Sequence, residues 1–203
     1  MADKLDLKRT ALLIVDLQND FLHADGAYAR GKAVLPGTAD LIANMKGVVD
    51  AMRAAGGWIV STQFTLVPGR GGEPLISPHL KQLRPFLRKG DFQPGAWGHN
   101  LIDELAPADF VIEKVAYSAF YMTRLEFVLR KAGIDTLMIG GIVTNGGVAS
   151  TLRDAHVRDI HAMLLTDGCA AFSKEAHDAS IASLGTVAPK LTCAEAVAKI
   201  KAA

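Results

Sequence analysis

The chain has 203 residues, 50% hydrophobic and 21% charged, with a formal net charge of +1, the composition of an ordinary globular protein with room for one substantial core. Near-neutral charge argues against nucleic acid or an anionic membrane as a partner, and two cysteines, Cys169 and Cys193, are too few for a disulfide scaffold. No apolar run approaches the roughly 18 residues of a membrane span, and the charged opening MADKLDLKRT lacks the apolar centre of a signal peptide, so a cytoplasmic location is expected.

In chain order, ALLIVDLQ (11–18) reads as a buried strand, because it is a short apolar run without polar alternation. PGTADLIANMKGVVDAMRAAG follows with Leu41, Met45, Val48, Val49 and Met52 at helical spacing and Gly56 as its stop. GWIVSTQ is a second strand. The 64–99 segment is rich in Gly and Pro and has no clear period, which marks it as a long functional loop resembling a lid. NLIDEL is expected to be a short helix, DFVIEK a strand, and TRLEFVLRKAG a helix between Thr123 and Gly133. DTLMIGGIV is the most apolar strand, NGGVASTLRDAHVRD a helix, and HAMLLTD another strand. SKEAHDASIASL, with Ser173 as N-cap, and CAEAVAKIKAA are the last two helices.

Alternation of this kind predicts a single-domain α/β protein, residues 1–203, with a parallel sheet covered on both faces as a three-layer α/β/α sandwich. All strand C-termini then share one edge, where ligands bind. Asp16, Gln63, Lys114, the 144–147 turn and Asp167 fall at or just beyond that edge. Asp16 interrupts an apolar run, so its carboxylate must be paired or neutralised; a structural acid and a functional one both fit. Lys114 reads as a solvated end residue or as the partner of Asp16. Cys169 is placed just after a strand and reads as a small buried hydrophobe more readily than as a nucleophile. The six histidines show no metal-ligand spacing, so neither a metal nor another cofactor is expected, and GGIVTNGG lacks the spacing of a phosphate-binding loop.

Three segments, LLIVDLQNDFL, EKVAYSAF and GGIVTNGGVASTLRDAHVRD, in this order, together resemble the isochorismatase-like hydrolase superfamily, which includes many cysteine amidohydrolases. The resemblance runs from about residue 8 to DGCAAF. It implies an aspartate, a lysine and a cysteine as catalytic residues, matched by Asp16, Lys114 and the position of Gly147, so the thiol is replaced by glycine. Isochorismatases resemble this chain in carrying glycine there, and they hydrolyse an enol ether without a covalent intermediate. Yet Val143 and Asn145 stand where those enzymes resemble one another in a tyrosine and a histidine, as in the amidohydrolase pattern. The expectation is a metal-independent hydrolase of a small polar or carboxylated molecule. Asp16 would be general acid or base, and Lys114 its electrostatic partner. Val143, Thr144, Asn145, Gly146 and Gly147 would form the turn over the substrate, with Gln63, Phe21, Trp97 and Tyr117 lining the pocket. Enol-ether cleavage, C–N amidohydrolysis and a binding protein that has lost its chemistry remain alternatives. The family resemblance also implies a homo-oligomer, a dimer or tetramer.

Overall fold

The β1 strand (Thr10–Val15) is flanked on one side by β2 (Trp58–Phe64) and β3 (Phe110–Lys114), and on the other by β4 (Thr136–Ile142), β5 (His161–Ala170) and β6 (Lys190–Leu191). Every ladder is parallel, in the order β3-β2-β1-β4-β5-β6. This is a computed structural model, and it describes residues 4–203. Residues 1–3, the first part of the charged opening, lie outside the described residues. The helices are α1 (Asn19–Leu22), α2 (Ala27–Arg30), α3 (Thr38–Ala54), α4 (Pro78–Leu83), α5 (Leu125–Lys131), α6 (Ala149–His156), α7 (Lys174–Leu184) and α8 (Cys193–Lys201).

Successive side chains of a strand point to opposite faces. Leu13 and Val15 meet α5 and α6 through Leu125, Leu129 and Leu152. Leu12 and Ile14 meet α3 and α8 through Met45, Val49 and Ile200. Since β1 is covered on both sides, all six of its residues are buried, and the unbroken apolar run is the cause. The predicted three-layer sandwich is what forms.

Most predicted elements are present, and the helix stops agree in mechanism. Gly56 and Gly133 take φ of 70° and 72°, conformations that cost a glycine little. Ser173 accepts from the Ala176 amide at 3.2 Å, as an N-cap should. NLIDEL is not helical. Leu101 instead bridges Gln18, with Asn19 N–H donating to Asn100 O and Ile102 N–H to Leu17 O. Those amides and carbonyls are committed to a neighbouring chain segment, and Pro107 has no N–H with which to continue a helix. The β5 strand runs on to Ala170, so Asp167 and Cys169 lie within it and not beyond its end. After an irregularity in the ladder, Cys169 pairs with Gly141. The 64–99 segment is not featureless either. It contains α4, and with α2 it builds a small separate core of Ala27, Tyr28, Leu66, Leu87 and Phe92.

Candidate active site at the switch point of the sheet

Chain connections run outward in opposite directions from β1 and β4, and such a switch point leaves a crevice at the strand C-termini. Asp16 follows β1 directly and has φ of 56°, the left-handed region that a non-glycine residue seldom adopts. Its backbone turns out of the strand while Thr62 holds it. The Asp16 N–H donates to Thr62 Oγ1 at 3.2 Å, and the Thr62 hydroxyl donates to Asp16 Oδ1 at 2.7 Å. Lys114, the last residue of β3, reaches across β2 to place Nζ 2.6 Å from Asp16 Oδ2, and also donates to Ala116 O at 3.0 Å. Both side chains are buried, at 2% and 6% exposure. Burial pushes the Asp16 carboxyl above the usual carboxylate range, while Lys114 and Thr62 pull it back only in part.

Beyond β4 the chain makes a single wide π-helical turn, Thr144–Val148, that leads into α6. A side chain at position 147 would point at the acid. A Cβ built on Gly147 lies 3.4 Å from Asp16 Oδ2, 3.3 Å from Val15 Cγ1 and 3.0 Å from Ile142 O. The three positions that the resemblance singled out therefore converge in space. Above them opens a cavity of about 340 Å³, within the range of small-molecule sites. Asp16, Lys114 and Gly147 form its floor, and Phe21, Phe64, Tyr117 and Val143 stand in its wall.

Five residues expected at the site, two as lining and three in the turn, are not in that wall. Gln63 is buried on the opposite face of β2, where Nε2 donates to Ser61 Oγ at 3.2 Å. Strand alternation gives the cavity side to its neighbours Thr62 and Phe64. Trp97 is 47% exposed and packs edge-on against His23 with ring centres 4.9 Å apart. Thr144 is buried and hydrogen-bonds His177 Nδ1 at 2.9 Å, Asn145 faces solvent, and Gly146 packs beneath Tyr117. The Val143 carbonyl already accepts both the Gly146 and the Val148 N–H, at 2.9 and 3.3 Å, so those two are not available to a substrate. Sequence reasoning missed Thr62, Tyr28, Arg84 and Phe172. Thr62 was recoverable from strand parity. The last three arrive from segments remote along the chain, with no local signal.

Neither cysteine lines the cavity. Burial pushes the Cys169 thiol up to about 12 and raises Cys193 as well, which makes both inert as thiolates near neutral pH. Among the described residues no cluster of three His, Cys, Asp or Glu is arranged to hold a metal ion, and no helix is long and apolar enough to cross a membrane.

A family model described as the isochorismatase domain matches residues 10–196. The ureidoacrylate amidohydrolase RutB of Acinetobacter baylyi is 35% identical over 199 residues, covering 91% of this chain and 80% of that protein. The enzyme of the same name from Pantoea ananatis is 36% identical over 173 residues, covering 79% and 68%. Among solved structures, a cysteine hydrolase from Pseudomonas syringae pv. phaseolicola shares the fold with a TM-score of 0.83 at 24% identity over 99% of both chains. The N-carbamoylsarcosine amidase of Thermoplasma acidophilum aligns with a TM-score of 0.68 at 25% identity, over 91% and 96%. A parallel sheet with its crevice between β1 and β4, a buried acid–lysine pair in that crevice and a domain match along nearly the whole chain agree: this protein is a hydrolase that belongs to the isochorismatase family.

Proposed function

We propose that this hydrolase cleaves an enol ether in a small carboxylate-bearing molecule, with Asp16 as proton donor, Lys114 as its electrostatic partner and Gly147 as the opening that admits the reacting group. The buried Asp16–Lys114 pair, on the floor of a cavity that no cysteine lines, carries this reading. A carboxyl whose proton is held more tightly by burial is suited to general acid work nearer neutrality. The terminal vinylic carbon takes the Asp16 proton through its π electrons, while the ether oxygen donates a lone pair to form an oxocarbenium ion. Water adds to the cationic carbon and returns a proton to the Asp16 carboxylate. The resulting hemiketal then collapses to a ketone and an alcohol. Lys114, 2.6 Å away, stabilises the carboxylate formed between the two proton transfers. No step requires a thiol.

The test uses isochorismate in D₂O. Pyruvate should be released with one solvent deuterium on its methyl carbon, and Asp16→Asn should lower turnover by about 10²-fold or more. No release of pyruvate from isochorismate sinks the enol-ether assignment.

The names of the curated relatives favour a second reading, C–N hydrolysis. Asp16 would then act as base toward a water that attacks an amide carbonyl, and no solvent deuterium would enter carbon. Gly147→Cys separates the two, because its Cβ would stand 3.4 Å from Asp16 Oδ2. Ammonia released from simple amides by the wild type, and raised by Gly147→Cys, would favour this second reading.

A further inference from the structure

Acid chemistry at Asp16 leaves one cation at the cavity unexplained. The 64–99 segment carries Arg70, Lys81, Arg84, Arg88 and Lys89 against Glu73 and Asp91, a local excess of positive charge in a nearly neutral chain. Of those five cations Arg84 alone lines the cavity. Its guanidinium carbon lies 4.8 Å from the Phe172 ring centre and 5.6 Å from that of Tyr28. These two rings are stacked at 5.8 Å with 16° between their planes, so the guanidinium lies along an aromatic wall that fixes its orientation. Its Nε donates to the Tyr28 hydroxyl at 3.3 Å and its Nη1 to Leu83 O at 2.9 Å. Among the described residues, Arg84 forms no ion pair, and its hydrogen bonds come from Nε and Nη1 alone, so Nη2 has no acceptor. An oriented, half-buried guanidinium with donors to spare is suited to a carboxylate, which it can meet with two parallel hydrogen bonds.

We propose that Arg84 is the specificity-determining residue of this cavity, holding the carboxylate of a planar conjugated acid whose unsaturated body lies among Phe21, Phe64 and Phe172. The aromatic walls supply the flat apolar slot, and Asp16 stands at the floor, where the reacting end of the molecule would lie. This assignment rests on the reading of the cavity as the substrate site, but it does not depend on which bond is cleaved.

Titration calorimetry with trans-cinnamate and trans-cinnamamide tests it, because the two probes share a shape and differ in charge, and neither needs to be turned over. Wild-type protein should bind cinnamate at least about ten times more tightly than the amide. Arg84→Gln should weaken cinnamate by about 10- to 100-fold and leave the amide unchanged. Arg84→Lys keeps the charge without the planar fork and should fall between. Equal weakening of both probes, as a purely structural arginine would give, overturns the proposal. So does failure of wild type to prefer the acid. The outcomes separate from those of the catalytic reading: missing deuterium in the product leaves the cinnamate preference standing, whereas an indifferent Arg84 leaves the deuterium result standing.

Discussion

A carboxylate and an ammonium taken out of water attract strongly, yet each gives up its hydration, so a buried pair is worth more to chemistry than to stability. Asp16 and Lys114 are such a pair, and their separate removal should be unequal. Asp16→Asn leaves a buried ammonium with neutral acceptors only, Ala116 O and the new amide oxygen, and should cost about 3–5 kcal/mol by urea unfolding. Lys114→Met leaves a carboxyl that escapes by taking a proton. Its folded-state pKa then stands above the unfolded value of about 4. The stability of that variant is therefore fully present below about pH 4 and declines as pH rises through the folded value. Combining both substitutions should recover about 1–4 kcal/mol relative to Asp16→Asn. If Asp16 is the proton donor proposed above, kcat should fall as pH rises past the raised Asp16 value. Unfolding midpoints from pH 4 to 8, alongside the kcat profile, check both statements.

Whole elements, more than single side chains, hold the turn over that pair. The turn from Thr144 to Val148 is pinned between β4, which it leaves, and α7, whose His177 bonds the buried Thr144 hydroxyl at 2.9 Å. Replacing His177 with alanine strands that hydroxyl in the interior, and the cost should be about 1–3 kcal/mol in urea. Thr144→Val placed on top should return most of it, because the orphaned group has gone. A full penalty retained in the double variant would mean that α7 is held through packing and not through this bond. The two helices beside the turn explain why Thr144 and Asn145 do not line the cavity. One side chain is turned inward to meet α7 and the other outward to solvent.

At the scale of the molecule, two apolar layers meet on one sheet, and β1 is the spine common to both. Leu13, fully buried in the middle of β1, should cost about 2–5 kcal/mol when replaced by alanine. Phe127, 64% exposed on α5, should cost less than about 0.5 kcal/mol. Guanidinium unfolding of the two variants measures the difference. The position of β1 also ties stability to the site, since it carries Asp16 at its end and pairs with both β2 and β4. A slip of β1 by one residue would bury the acid among the wrong neighbours and turn its apolar faces over.

Periodicity and punctuation were sufficient for the architecture, because hydrophobic runs, caps and left-handed glycines act over a few residues and are written where they act. ALLIVD announced a strand buried on both faces and an acid at its end. Gly56, Gly133 and Ser173 marked helix ends correctly. Motif likeness located Asp16, Lys114 and Gly147, which the fold then brought together. The walls of the site were decided only by tertiary structure. Gln63 lost its place in the wall to Phe64 because strand parity, set by pairing with β1, turned it to the other face. Arg84, Tyr28 and Phe172 meet because α2, the 64–99 segment and the chain beyond β5 fold over one crevice. Short-range signals are local in sequence, while a binding surface is assembled from parts whose only relation is their distance in space.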